Sequence, residues 1–316
     1  MKIAIIADTF SLTILKMQPD VQWVILHPLY WRLQLSFQKV DLLFVESAWM
    51  GKNGQWRHKI ASYPNKQQDN VLLKLTKYCK KNKIPSVFWS KEDPVHFSRF
   101  INSAKLFDHV LTTEQTLLDQ YKAASTEIKS VQLQTIFFQP LLHNPTVGQL
   151  NNTLSDQIVF CGGLYKKEFP DRAERLIKVT QTFDKNELTI FDRFNNDPTN
   201  TNSWSSVKNI NCLPSFNFLE SKSIYQSAIA HINVNSCDDS SSMYSRRLIE
   251  LLACGAKVIN ITQHKKQTPF NNYVLSANSI KEIREAKELP KPQIDFDYLL
   301  QNHSIHNFIN RLETLA

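Results

Sequence analysis

A double alternation constrains this chain most. Short apolar runs trade places with longer, helix-compatible stretches, first over residues 2–133 and again from residue 157 onward. Runs of this length between polar turns read as buried strands, and strands alternating with amphipathic stretches build parallel sheets with helices on their faces. In the first half the runs are 2–7, 21–26, 42–45, 86–89, 110–113 and 131–133. Between two of them, residues 70–81 place Val71, Leu72, Leu75 and Tyr78 at three- and four-residue intervals, which predicts a helix, and Pro85 opens the next strand. In the second half the runs are 157–160, 188–191, 230–234 and 256–259, with a helix predicted over 244–253. The pattern dissolves around 140–151, so the expected domains are 1–145 and 151–295; residues 195–206, rich in Asn, Thr and Ser, are expected to be a loop. The fold class that follows is α/β, with two Rossmann-like domains whose strand ends can face each other across a cleft. Ligands of such sheets sit beyond the carboxyl ends of the strands, and the chemistry is sought there.

Composition narrows the class. No window approaches the roughly 18 apolar residues of a membrane-spanning helix. The opening MKIAIIADTF is broken by Asp8 and lacks a cleavage-site pattern, so it reads as a first strand and predicts a cytoplasmic protein. Five scattered cysteines without a CxxC pair argue against a disulfide framework or a zinc site. The net charge of +8 favours anionic partners, whether nucleotide diphosphates, polymers, nucleic acid or a membrane surface contacted peripherally. The basic residues are dispersed, with only short clusters such as Lys80-Lys81 and Lys265-Lys266.

Several strand ends carry chemistry. With six glycines in the whole chain, the adjacent Gly162 and Gly163 after the 157–160 run either make an ordinary turn or let backbone amides approach a phosphate or sugar. Residues 233–250 run from a strand end through a Ser/Asp loop into a helix predicted to open near Met243, with Arg246, Arg247 and Glu250 in its first turns. A helix N-terminus suits a diphosphate, an Arg beside it adds an anion clamp, and a carboxylate four residues on can accept hydrogen bonds from both ribose hydroxyls or pair with Arg246. In the first half, Lys91, Glu92, Asp93 and His96 follow an apolar strand. Glu92 or Asp93 can act as a general base or orient an acceptor hydroxyl; equally, Asp93 can cap a helix and Lys91 can pair with Glu92. Glu46, Trp49 and Trp56 repeat the arrangement after another strand. Aromatic faces beside carboxylates suit sugars. Trp49 can also be core, whereas Trp56, among Asn, Gln, Arg and His, reads as outside it. Asp8 ends the first strand. The acidic pair Asp238-Asp239 lies in a Ser-rich loop and reads as a turn stabiliser, so no metal site is expected; there is no Walker loop and no GxGxxG.

The strings VESAW at 45–49, VFWSKEDPVHF at 87–97, FDHVLTT at 107–113, FDR at 191–193 and NVN…SSMYSRRLIELLACG within 233–255 follow one order. In this they resemble the CgeB-like (spore maturation protein type) glycosyltransferases, a GT-B branch with a family-1-type C-terminal domain. The resemblance covers roughly residues 41–255. It implies a nucleotide-sugar donor, UDP-linked foremost, on the C-terminal domain, with no obligatory metal and a cell-surface polymer, protein or other glycoconjugate as acceptor. It makes Glu250 the ribose carboxylate and Arg246 or Arg247 the counter-charge to the leaving diphosphate, with Gly162 and Gly163 near the donor. Tyr165, Arg193, Asn235, Met243 and Tyr244 complete the candidate donor set. Glu92, Asp93 and Arg246 are the candidate catalytic residues, and Asp8, Glu46, Trp49, Trp56, Lys91 and His96 the candidate acceptor set. Ser242 stands where retaining relatives often carry a second Glu, which leaves the stereochemical outcome open. The alternatives are an acceptor that is a modified nucleic-acid base, or a catalytically silent nucleotide- or glycan-binding module. Residues 303–315 read as an amphipathic closing helix that, as is common in GT-B proteins, crosses back to the N-terminal domain.

Overall fold

The apolar runs become strands wherever both of their faces can be covered. The computed structural model describes residues 1–64, 69–197, 199–264 and 268–316, and Lys265-Lys266 and part of the 195–206 stretch fall outside the described residues. The chain divides into two units, Met1–Phe137 with His303–Ala316, and Phe138–Asn302. Among the described residues each unit holds one six-stranded sheet.

In the first unit β1 (Lys2–Ile6), β2 (Gln22–Ile25), β3 (Leu42–Glu46), β4 (Ser86–Ser90), β5 (His109–Thr112) and β6 (Ser130–Leu133) pair in the order β2-β1-β3-β4-β5-β6. All pairs are parallel. Every residue of β3 and β4 is buried, as expected of central parallel strands covered on both faces. The helices are α1 (Thr9–Leu15), α2 (Trp31–Phe37), α3 (Val71–Lys81), α4 (Phe97–Ala104) and α5 (Leu118–Ala124). Trp31 and Leu35 of α2, Leu72 and Leu75 of α3, and Phe100 of α4 share one core with Val45 and Phe88.

In the second unit β7 (Ile158–Cys161), β8 (Leu188–Asp192), β9 (Asn211–Pro214), β10 (Ala230–Asn233), β11 (Val258–Ile261) and β12 (Leu275–Ala277) pair in the order β12-β11-β10-β7-β8-β9, again all parallel. Their helices are α6 (Pro170–Thr182), α7 (Ser221–Ser227), α8 (Arg246–Ala253), α9 (Ile280–Glu288) and α10 (Phe296–His303). β9 and β12 are not legible as apolar runs, because both are short edge strands with little buried surface. Residues 140–151 belong to the second unit. Phe138 and His143 are fully buried there, and the His143 imidazole Nε2 lies 2.8 Å from Ser221 Oγ.

The last helix, α11 (Ile305–Leu315), is part of the first unit. Its Phe308 stacks on Phe137 at 4.5 Å between ring centroids and meets Phe44 and Trp89 at 5.4 and 5.5 Å. Arg311 Nη1 donates to Gln132 Oε1 at 3.0 Å beside this cluster. No described helix is long and apolar enough to cross a membrane.

Both sheets reverse strand order once, between β1 and β3 in the first unit and between β7 and β10 in the second. Open α/β sheets bind ligands at such a reversal, because the loops leave in opposite directions and open a crevice. Phe308→Ala is expected to destabilise the first unit by about 3–5 kcal/mol, since it leaves a cavity among three aromatic rings; a urea titration followed by tryptophan fluorescence measures this.

Candidate functional site

At the order reversal of the second sheet, β7 ends in Gly162, whose φ is +142°. A Cβ there would stand 3.0 Å from Nη1 of Arg247, so the glycine lets the guanidinium lie against the backbone. At Gly163 a Cβ would meet the Phe194 ring at 2.6 Å, and no larger residue fits. The carbonyls of this turn are engaged: Trp204 Nε1 donates to Gly162 O at 2.8 Å and Arg172 Nη1 to Gly163 O at 3.1 Å. Tyr165 follows at a φ of +57°, and its hydroxyl accepts from Arg193 Nη1 at 3.3 Å.

The β10–α8 loop is closed by its own polar side chains. Ser245 caps α8 by accepting from Leu248 N at 3.1 Å, and its hydroxyl donates to Asn233 Oδ1 at 2.7 Å. Its amide donates to Asn235 Oδ1 at 3.1 Å. The helix therefore opens at Arg246 and not at Met243, because a serine at the N-cap outcompetes Tyr244, which is buried edge-on against Phe270 at 4.7 Å.

Arg247 lies over the Phe160 ring at 4.6 Å and makes no hydrogen bond or ion pair with any described residue. Burial pulls its guanidinium below the ordinary value. Glu250 is 2% exposed; its Oε2 accepts from the Tyr225 hydroxyl at 3.3 Å, and its Oε1 is buried without a partner. Burial pushes the Glu250 carboxyl up to about 7, against the pull of Arg246, the Tyr225 hydrogen bond and Arg247. His143 is driven down to about 3 by burial and by the charges of Arg246 and Lys222, so it is neutral. The site thus holds a guanidinium and a carboxyl that are both desolvated and not bonded to one another. That arrangement is costly until a ligand offers an anion to one and donors to the other.

A cavity of about 320 Å³ opens beyond the ends of β10, β11 and β12, lined by Asn235, Tyr244, Asn260 and Thr262 among others. Asp238 is already committed, with Oδ1 2.8 Å from Arg175 Nη1 and Oδ2 accepting from Gln263 N at 2.6 Å. Asp239 Oδ1 accepts from Cys237 Sγ at 2.9 Å. Among the described residues no group of three or more His, Cys, Asp or Glu side chains could hold a metal ion.

The order reversal of the first sheet brings Asp8, Glu46 and Lys91 together from the ends of β1, β3 and β4. Lys91 Nζ donates to Glu46 Oε1 at 2.8 Å and to Asp8 Oδ2 at 3.4 Å. It is therefore paired across strands and not with its neighbour Glu92. Glu46 is fully buried and also accepts from Asp8 N at 2.7 Å, with Oε2 unpartnered. Asp8 accepts from three successive amides, Trp49, Met50 and Gly51, at 3.2, 2.9 and 2.7 Å. Trp49 is half-buried and packs edge-on against His96 and Phe100, both at 5.0 Å. Burial lowers the His96 imidazole below its ordinary value. Glu92 is half-buried.

Two expected site residues are core instead. Asp93 is fully buried, accepting from Thr112 Oγ1 at 2.6 Å and from the Tyr121 hydroxyl at 2.9 Å. It neither caps α4, whose N-cap is His96, nor meets solvent. Burial raises its carboxyl to about 6, opposed by those hydrogen bonds. Trp56 is 1% exposed and donates to Leu26 O at 2.9 Å, despite its polar sequence neighbours. Conversely, buried Arg172 and Arg175 beside the second site went unread. The available signal was a cation in the first turn of α6, where the helix dipole disfavours it.

No protein-family model and no curated protein sequence matches the chain. Solved structures share its fold. An alpha-glucosyltransferase in complex with UDP-glucose and DNA containing an abasic site matches with a TM-score of 0.57 at 11% identity, covering 100% of this chain and 99% of that one. HepE of Anabaena, in complex with UDP and glucose, matches with a TM-score of 0.56 at 10% identity, covering 100% and 99%. UDP-GlcNAc 2-epimerase from Methanocaldococcus jannaschii matches with a TM-score of 0.50 at 11% identity, covering 100% of both chains. The chain has the GT-B fold, which UDP-sugar glycosyltransferases share with this epimerase.

Two outcomes are expected from the buried carboxyls. Glu250 has a folded value raised above its unfolded one, so its contribution to stability is full below about 4.5 and is lost as pH rises through about 7. Without ligand, Glu250→Gln should melt higher than the parent at pH 8, by a few kcal/mol at most, and the difference should vanish near pH 4.5. Asp93→Ala should lower stability by about 2–4 kcal/mol by stranding two buried hydroxyls, whereas Asp93→Asn should change little, as read from urea midpoints.

Proposed function

We propose that the protein is a glycosyltransferase that moves a sugar from a UDP-sugar to an acceptor polymer, protein or other glycoconjugate without an obligatory metal ion, and that it belongs with the CgeB-like enzymes. In this reading the second unit holds the donor and the first, with α11, holds the acceptor. The observation that carries it is that, at the order reversal of the second sheet, Arg247 bonds to no described residue and Glu250 Oε1 is buried without a partner. A nucleoside diphosphate supplies what both lack: phosphate oxygens for the guanidinium and the amides at the α8 N-terminus, and ribose hydroxyls for Glu250 Oε1.

The chemistry follows from charge. Cleavage of the sugar–phosphate bond leaves negative charge on the diphosphate, and preorganised cations stabilise it without reorganising. Arg247 is already stripped of water and held against Phe160, and Arg246 sits one residue earlier at the same helix end. Both oxygens of Asp238 are engaged by Arg175 and Gln263, which supports assigning the counter-charge to arginines and not to a carboxylate-bound cation. On the acceptor side, Glu92 takes the role of holding or deprotonating the incoming hydroxyl, because Asp93 is buried. Asp8, Glu46 and Lys91 form the polar floor beside it, with Trp49 as the aromatic wall.

UDP should raise the melting temperature of the protein, and Glu250→Ala and Arg247→Met should each weaken UDP binding by roughly 10- to 150-fold, the contribution of a charge-assisted hydrogen bond. Calorimetric titration with UDP, CDP and GDP measures this and tests the base preference. Sugar transfer or donor hydrolysis should persist in EDTA, and Glu92→Gln should lower turnover about 10²–10⁴-fold with UDP affinity kept. Two results would sink the proposal: unchanged UDP affinity in both folded second-unit variants, or a 2-epimer of the donor sugar as the sole product.

A further inference from the structure

We infer that the outer surface of α2 and α3 docks the protein on an anionic lipid bilayer. This inference holds whatever reaction the second unit supports.

The inner face of α2 places Trp31 and Leu35 in the core. Leu29 and Tyr30 in the turn before α2, and Leu33 and Phe37 on its outer side, are 77%, 57%, 57% and 83% exposed. Leu33 and Phe37 are four residues apart and so share one side of the helix. Single exposed apolar residues need no explanation, but four clustered within residues 29–37 do. No described residue covers them.

The cations around this stripe identify its occupant. Arg32 on α2 and Lys39 just beyond its end are exposed. The neighbouring helix α3 lies alongside, as the edge-on contact of Trp31 with Tyr78 at 5.5 Å shows. It presents Lys74, Lys77 and Lys81, all exposed and at helical spacing. Two acidic residues that flank α3, Asp69 and Glu127, are already paired with Lys59 and Lys80. The first unit holds 19 Lys and Arg against 12 Asp and Glu, and so carries +7 of the chain's +8. The second unit is nearly neutral.

Exposed apolar and aromatic side chains with lysines on the adjoining helix match a bilayer surface, where the former enter the acyl boundary and the latter meet headgroups. Protein interfaces are depleted of lysine, and four side chains on a seven-residue helix and the turn before it fall short of the roughly 800 Å² per partner that a stable protein complex buries. Docking through this surface would hold the first unit against lipid-linked or membrane-bound material.

The test is flotation of the full chain with phosphatidylcholine vesicles, with and without phosphatidylglycerol, at graded salt. The protein should float with the anionic vesicles, at least about tenfold more weakly with neutral ones, and progressively less as salt rises. Lys74→Glu combined with Lys77→Glu and Lys81→Glu should weaken binding roughly 100-fold or more, since each lysine near an anionic surface contributes about fivefold. Leu33→Glu with Phe37→Glu should abolish flotation. These positions are exposed, and an unchanged melting curve by circular dichroism confirms the fold. The proposal is overturned if the parent does not float with anionic vesicles, or if either folded variant floats as the parent does. It is equally overturned if sedimentation shows a parent dimer that Leu33→Glu dissociates while vesicles bind neither form, because the stripe then serves a second copy of the chain.

Discussion

Parallel strand pairing is the constraint on which the remainder depends. Consecutive parallel strands need a crossover, the crossover is a helix, and helices on both faces bury the strands completely. β3 and β4 are buried along their whole length for this reason. Polar side chains are driven to the strand ends, and the single reversal of strand order in each sheet selects which ends form a crevice. Asp8, Glu46 and Lys91 meet at one reversal, and Gly162, Asn235 and Arg247 gather at the other, although each set is scattered along the chain.

What separates one buried carboxyl from another here is satisfaction of its bonds. Asp93 and Glu250 are both buried carboxyls with raised values. Asp93 has two hydroxyl donors and no route to solvent, so its burial is complete and self-contained. Glu250 has one long hydrogen bond and an idle oxygen, in the same site as a guanidinium that bonds to no described residue. Folding does not leave such a pair desolvated without some offsetting return, and a ligand is the simplest source of it. Lys91 lies between these cases: its charge is met by Glu46 and Asp8, yet Glu46 Oε2 remains open.

Charge divides between the units as sharply as the polar bonds do. The excess of cations sits almost wholly on the first unit. In the second unit Arg172 and Arg175 are buried against carbonyl oxygens, whereas Arg193 and Arg284 are exposed.

The sequence by itself determined the α/β class and ten of the twelve strands among the described residues, because apolar period is a local signal. It could not separate Asp93 from Glu92 or Trp56 from Trp49, since burial is settled by what other elements place over a residue. Tyr121 and Thr112 enclose Asp93 from other segments of the chain, and Leu26 takes the Trp56 indole from a distant loop. Lys91 was read beside Glu92 because they are neighbours, yet on leaving a strand adjacent side chains diverge and the lysine finds Glu46 on the next strand. The edge strands β9 and β12 were invisible because half-covered strands need no apolar run. Only the tertiary structure decided which charges end up bonded and which remain idle, because that depends on long-range pairing and not on composition or period.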